Sequence, residues 1–119
     1  MPRKAFDRRL VGTWKSDRRR TFRDFHPRKG VSEERIRKLK SLFGKLEVRY
    51  GYRLMHTTYD GMENKTAYKL VASDADSVVI RYYDSTFHEY RIRQLHFEGE
   101  YMWLAISGGL CEYFRRVQD

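Results

Sequence analysis

Cysteine is nearly absent from this 119-residue sequence. Cys111 stands alone, so no disulfide can form within the chain and nothing calls for an oxidising compartment. Proline is almost as scarce. Pro2 and Pro27 both lie in the first 27 residues, so the remainder lacks the residue that most often interrupts a strand. No apolar run approaches the length of a membrane span. The charged N-terminal stretch is not followed by the apolar segment of a signal peptide, so the cytoplasm is the expected location. Repeats, low-complexity tracts and linkers are also missing, and residues 1–119 read as one domain.

Chemical motifs are equally thin. There is no serine elbow, phosphate-binding loop or dinucleotide fingerprint. His26, His56, His88 and His96 do not fall at zinc-ligand spacing, and His88 and His96 would sit roughly 26 Å apart on one strand. No metal, cofactor or catalytic residue is expected, and a binding module fits better than an enzyme. Cys111 reads as a buried structural thiol.

Aromatic and basic residues are plentiful. Nine Tyr and seven Phe bring the aromatic share to 15%, which speaks for a folded chain. The net charge is +9 and unevenly spread: residues 1–53 carry +12 and residues 54–119 carry −3. Such asymmetry marks either a solvated basic face or a surface for nucleic acid or another polyanion.

The periodicity predicts one helix and eight strands. Residues 10–16 read as the first strand, followed by an irregular basic stretch over 18–31 anchored by Phe22 and Phe25. The helix covers residues 33–43. Ser32 is its N-cap, Glu33 and Glu34 suit its start, and Gly44 stops it. Val31 and Ile36 form a staple, and Ile36, Leu39, Leu42 and Phe43 form an apolar stripe that should cover an apolar surface. Strands then occupy residues 45–50, 53–59, 65–72, 77–83, 87–97, 101–106 and 110–117. The turns between them are short, including the hairpin signal Asp60-Gly61. Short connections make sequential strands antiparallel neighbours, and eight of them close into a barrel. The fold class is therefore mostly β: an up-and-down eight-stranded antiparallel barrel, with one helix between the first and second strands.

Alternation assigns Leu46, Val48, Tyr50, Tyr68, Leu70, Val78, Ile80 and Tyr82 to the interior. Tyr90 and Ile92 continue the set, with a bulge near Arg93-Gln94 to bring Leu95 and Phe97 into phase. In the last strand Cys111, Tyr113, Arg115 and Val117 bury more apolar surface than the alternate set.

The run Leu10-Val11-Gly12-Thr13-Trp14-Lys15 resembles the opening of lipocalins and fatty-acid-binding proteins, the calycin barrels. The resemblance implies a Gly-x-Trp on the first strand, a flanking helical segment and an Arg on the last strand that packs near the Trp, here Arg115 or Arg116. The Thr-Asp-Tyr motif of classical lipocalins is absent, and the Arg-x-Tyr pair of fatty-acid-binding proteins is reversed as Tyr113-x-Arg115. The chain thus reads as a small lipocalin-like domain outside both branches.

Two functional readings follow. In the first, Trp14, Tyr50, Tyr68, Tyr82, Tyr90, Tyr113 and Arg115 line the barrel interior and bind a small aromatic or anionic molecule. An inward Arg115 would need a partner there: the Trp14 face, Glu89, Glu112 or a bound anion. In the alternative, residues 15–40 bind nucleic acid or another polyanion through Arg18, Arg19, Arg20, Arg23, Arg28, Lys29, Arg35, Arg37, Lys38 and Lys40.

Overall fold

The structure, a computed structural model, describes residues 6–23, 25–26, 29–85, 87–106 and 110–117, apart from the side chain of Leu39. Arg28, one of the predicted polyanion contacts, lies outside the described residues. Eight strands run in chain order around a closed antiparallel barrel. They are β1 (Gly12–Ser16), β2 (Leu46–Tyr50), β3 (Leu54–Tyr59), β4 (Met62–Ser73), β5 (Ser77–Asp84), β6 (Glu89–Glu98), β7 (Tyr101–Ile106) and β8 (Leu110–Val117). β8 returns to β1, with Trp14 opposite Arg116 and Ser16 opposite Phe114. At the Asp60-Gly61 turn both residues take positive φ, as a tight hairpin requires.

The crossover from β1 to β2 holds two helices, α1 (Arg18–Arg23) and α2 (Glu33–Leu42). The sequence reading had only the second. α1 has no apolar stripe to announce it; Asp17 starts it, accepting the Arg20 amide on its carboxylate and the Thr21 amide on its carbonyl. The buried Thr21 hydroxyl then accepts the Tyr113 amide of β8 and fixes α1 to the barrel wall. In α2 the Ser32 hydroxyl caps the Arg35 amide as expected. Its apolar stripe is only partly covered, with Ile36 half-buried and Leu42 exposed. Packing runs through Phe43, which meets Phe22 and Phe25 edge-on. Among the described residues no helix is long and apolar enough to cross a membrane.

Two predicted registers are corrected. The bulge expected at Arg93-Gln94 is absent: β5 pairs with β6 without a break from Ser77–His96 to Asp84–Glu89. The shift falls in β4 instead, between Leu70 and Ala72. Unbroken alternation back from Leu95 therefore turns Tyr90 and Ile92 outward, 63% and 69% exposed, and aims Arg91 and Arg93 inward. In β8 the inner set is Glu112, Phe114 and Arg116, not Cys111, Tyr113, Arg115 and Val117. Phe114 lies opposite Met102 and Ser16, within the core. Cys111 is half-buried, not fully buried as expected.

The core lies inside the barrel. Trp14, Tyr50, Ile80, Leu95, Met102 and Phe114 pack there with Leu10. The Trp14 indole donates to the Leu10 carbonyl at 2.9 Å. This packing removes large apolar side chains from water, the main stabilising term in folding.

Candidate functional site

Gly12, Trp14 and Arg116 form one unit. The Arg116 guanidinium sits 4.3 Å from the Trp14 ring centre. It donates to the Val11 carbonyl at 2.8 Å and to the Arg9 carbonyl. Gly12 has φ of 137°, and a Cβ there would run into Arg116 Nη1. Of the two arginines left open by the sequence, Arg116 is the one on the tryptophan. Trp14 itself is 2% exposed and serves as core.

Beside this core the barrel holds a cavity of about 210 Å³ lined by Leu46, Val48, Met55, Thr57, Asn64, Thr66, Tyr82, Arg93 and residues 83–85. Alternation puts Thr57, Asn64 and Thr66 on the inner face with Val48 and Met55, so amide and hydroxyl groups share the wall with apolar ones. Arg93 is its cation. Its guanidinium donates to the Tyr82 hydroxyl at 2.7 Å and lies 5.0 Å from the same ring's centre. Among the described residues no carboxylate forms an ion pair with it. Arg91, one turn of the pleat away, is instead neutralised by Asp84 at 2.8 Å and Glu89 at 3.1 Å.

Three more polar groups share this interior. Burial pushes the Tyr50 hydroxyl up to about 12, against the opposing charge and hydrogen bonding of Arg93, so it stays a protonated phenol. Tyr68 packs edge-on against Tyr50, with ring centres 5.6 Å apart, and donates to the Gly51 carbonyl. Burial also raises the Glu112 carboxyl above its ordinary range, while the Ser16 hydroxyl at 2.7 Å and the positive charge of Arg93 pull it back.

A second opening reaches the same place from the side. β6 and β7 pair only near their shared turn, at His96–Trp103, Phe97–Met102 and Glu98–Tyr101. Beyond these the strands diverge and leave a cleft of about 640 Å³, with Arg91, Gln94, Leu104 and Ile106 among its walls. Tyr82 and Arg93 line both this cleft and the inner cavity.

Of the predicted interior set, Trp14, Tyr50, Tyr68 and Tyr82 are inside. Three are not. Tyr90 is on the outer surface. Tyr113 is buried on the outer side of β8 under α1, with the Arg20 guanidinium 3.8 Å from its ring centre. Arg115 is exposed and bonded to Tyr101 at 2.9 Å, close to Glu100 and Asp17. The hydrogen bond that Arg115 donates to the Tyr101 hydroxyl and the nearby negative charge hold its guanidinium firmly protonated, above its ordinary value. The inward cation at the cavity is Arg93, which the sequence reading missed. The parity of Leu95 and Phe97, extended backward without a bulge, was the signal that could have found it.

The basic stretch is partly structural. Arg18 donates to the Lys40 carbonyl at 2.9 Å and lies over Phe22, while Arg20 is nearly buried against Tyr113 and reaches Glu98. Lys40 lies over Phe22 and Phe25, and Lys38 faces Glu34 at 3.6 Å. Arg19, Arg23, Lys29, Arg35 and Arg37 are exposed. The chain matches no family model, no curated protein and no solved structure.

Proposed function

We propose that the chain is a lipocalin-like binding protein, not an enzyme, that works in the cytoplasm and takes a small anionic molecule into the cavity of its barrel. One observation carries the reading: the Arg93–Tyr82 pair stands where the inner cavity meets the side cleft, and among the described residues no carboxylate forms an ion pair with Arg93, Glu112 acting on it only through its charge. A buried or half-buried guanidinium favours an anionic partner, because an uncompensated charge in a low-dielectric site is costly. The Tyr82 and Tyr50 hydroxyls supply directed polar contacts beside it. The cavity of about 210 Å³ is smaller than a usual drug-sized site, so the ligand is a small acid and not a long lipid chain.

The test is native mass spectrometry of protein purified from its own cytosol, paired with thermal melting in benzoate as a model aromatic carboxylate. A bound mass of a few hundred daltons or less, and a melting shift that Arg93→Gln removes, are the expected results. A bare mass together with no shift in the wild-type protein would end this reading.

A further inference from the structure

The outer face of β2 to β6 carries a pattern that the interior does not use. Strand register sets side chains in rows across neighbouring strands. In one row Leu54 lies opposite Ala67 and Tyr83 opposite Tyr90; Ala67 and Tyr83 fall together one step from the Tyr68–Tyr82 pair. Leu54 is 42%, Tyr83 40% and Tyr90 63% exposed. The two tyrosine rings meet edge-on with centres 5.2 Å apart.

Cations flank this row on both sides. Arg49 on β2 and Lys65 on β4 lie on one side, with His56 of β3 between them. Lys69 and Arg81 lie across β4 and β5 on the other, with the Arg81 guanidinium 4.2 Å from the Tyr90 ring centre. Asp84 and Glu89, near the turn, fall at the inward parity and pair with Arg91, while Glu47 and Glu63 lie on this face one row beyond Arg49, His56 and Lys65. An aromatic strip between two basic rows suits a partner whose flat apolar groups alternate with regular negative charge. Single-stranded nucleic acid has that chemistry: bases stack on aromatic faces whatever their sequence, and phosphates meet the cations beside them. A bilayer would need the apolar groups to project beyond the cations, whereas here both stand on one sheet face. The strands involved span roughly 15 to 20 Å, the reach of a few nucleotides.

We propose that this face binds single-stranded nucleic acid, with bases stacked on Tyr83 and Tyr90 and phosphates held by Arg49, Lys65, Lys69 and Arg81. The site lies outside residues 15–40 and does not depend on the barrel interior.

Fluorescence anisotropy with short labelled oligo(dT) and oligo(U) tests it on the full chain. Both should bind at low salt and weaken steeply as salt rises. Tyr90→Ala should weaken binding about tenfold, the scale of one lost stacking contact, and Arg81→Gln should weaken it and flatten the salt dependence. Arg37→Gln on α2 should change little. Tyr90 is mostly exposed, so an unchanged melting midpoint will show that its variant folds. Equal affinity for the two oligonucleotides assigns recognition to bases and phosphates, and a preference for oligo(U) adds the 2′-hydroxyl; both support the site. No binding at low salt would overturn it. So would binding that ignores Tyr90→Ala but is lost in Arg37→Gln, or a dimer in sedimentation that Tyr90→Ala dissolves, since that face would then join two copies of the chain.

Discussion

Gly12 shows how much one position can carry. Its φ of 137° strains any L side chain, and the space a Cβ would take is held by Arg116, itself fixed by Trp14 and two carbonyls. Gly12→Ala should lower the unfolding free energy by about 1–3 kcal/mol, read as a drop in the urea midpoint with the slope unchanged. Most single residues of this kind were legible in the sequence. Gly-x-Trp placed the first strand, and an arginine near the end of the chain was expected on the tryptophan. What failed was parity. Tyr90 and Ile92 were sent inward because they are apolar, and a bulge was invoked to reconcile them with Leu95. The barrel keeps its register and sends Arg91 and Arg93 inward, because eight unbroken ladder pairs with β5 outweigh the exposure of two apolar side chains. Hydrophobicity alone could not reveal this, since an ion pair for Arg91 and a phenol for Arg93 exist only in the folded barrel.

Among the elements, every strand and the helix α2 could be read from alternation, caps and turns. α1 could not, because Arg-Arg-Arg-Thr-Phe-Arg has no periodic apolar face. It exists through tertiary bonds to the barrel: the Asp17 amide donates to the Tyr113 carbonyl, Arg20 lies on the Tyr113 ring, and one buried hydroxyl adds a further bond. Thr21 is 1% exposed and its hydroxyl takes the Tyr113 amide at 3.0 Å. Thr21→Val keeps the volume and strands that amide, so stability should fall by about 1–3 kcal/mol in urea denaturation. The same loss should loosen Arg20 from Tyr113, because α1 presents both residues to β8. The candidate site was therefore half legible: its tyrosines on β2, β4 and β5 were found, while the cation on β6 and the side cleft depend on strand pairing that no local pattern records.

At the scale of the whole molecule, the barrel interior holds a few polar groups among its apolar side chains, and the buried Glu112 carboxyl should make stability depend on pH. Glu112 is raised by burial, so the folded state holds its proton more tightly than the unfolded chain does. Below the ordinary carboxylate value, about 4.3, both states are protonated and burial of the neutral acid carries no such penalty. As pH rises through that value toward the raised one, the unfolded chain ionises first and stability falls; above the raised value the full penalty stands. Glu112→Gln should therefore gain stability relative to the wild type from acid to neutral pH, seen as a widening gap between their melting midpoints. A gap that stays constant would mean that Glu112 does not titrate abnormally. The divergence of β6 from β7 has a consequence of another kind. These strands adjoin in sequence through Gly99 and Glu100, so they can part and meet again with almost no loop to search. The long-range closure of β1 on β8 is held by four paired positions and by Arg116 on Trp14. The shorter-paired seam of the wall is thus the one beside Arg93, between strands that the chain itself keeps together.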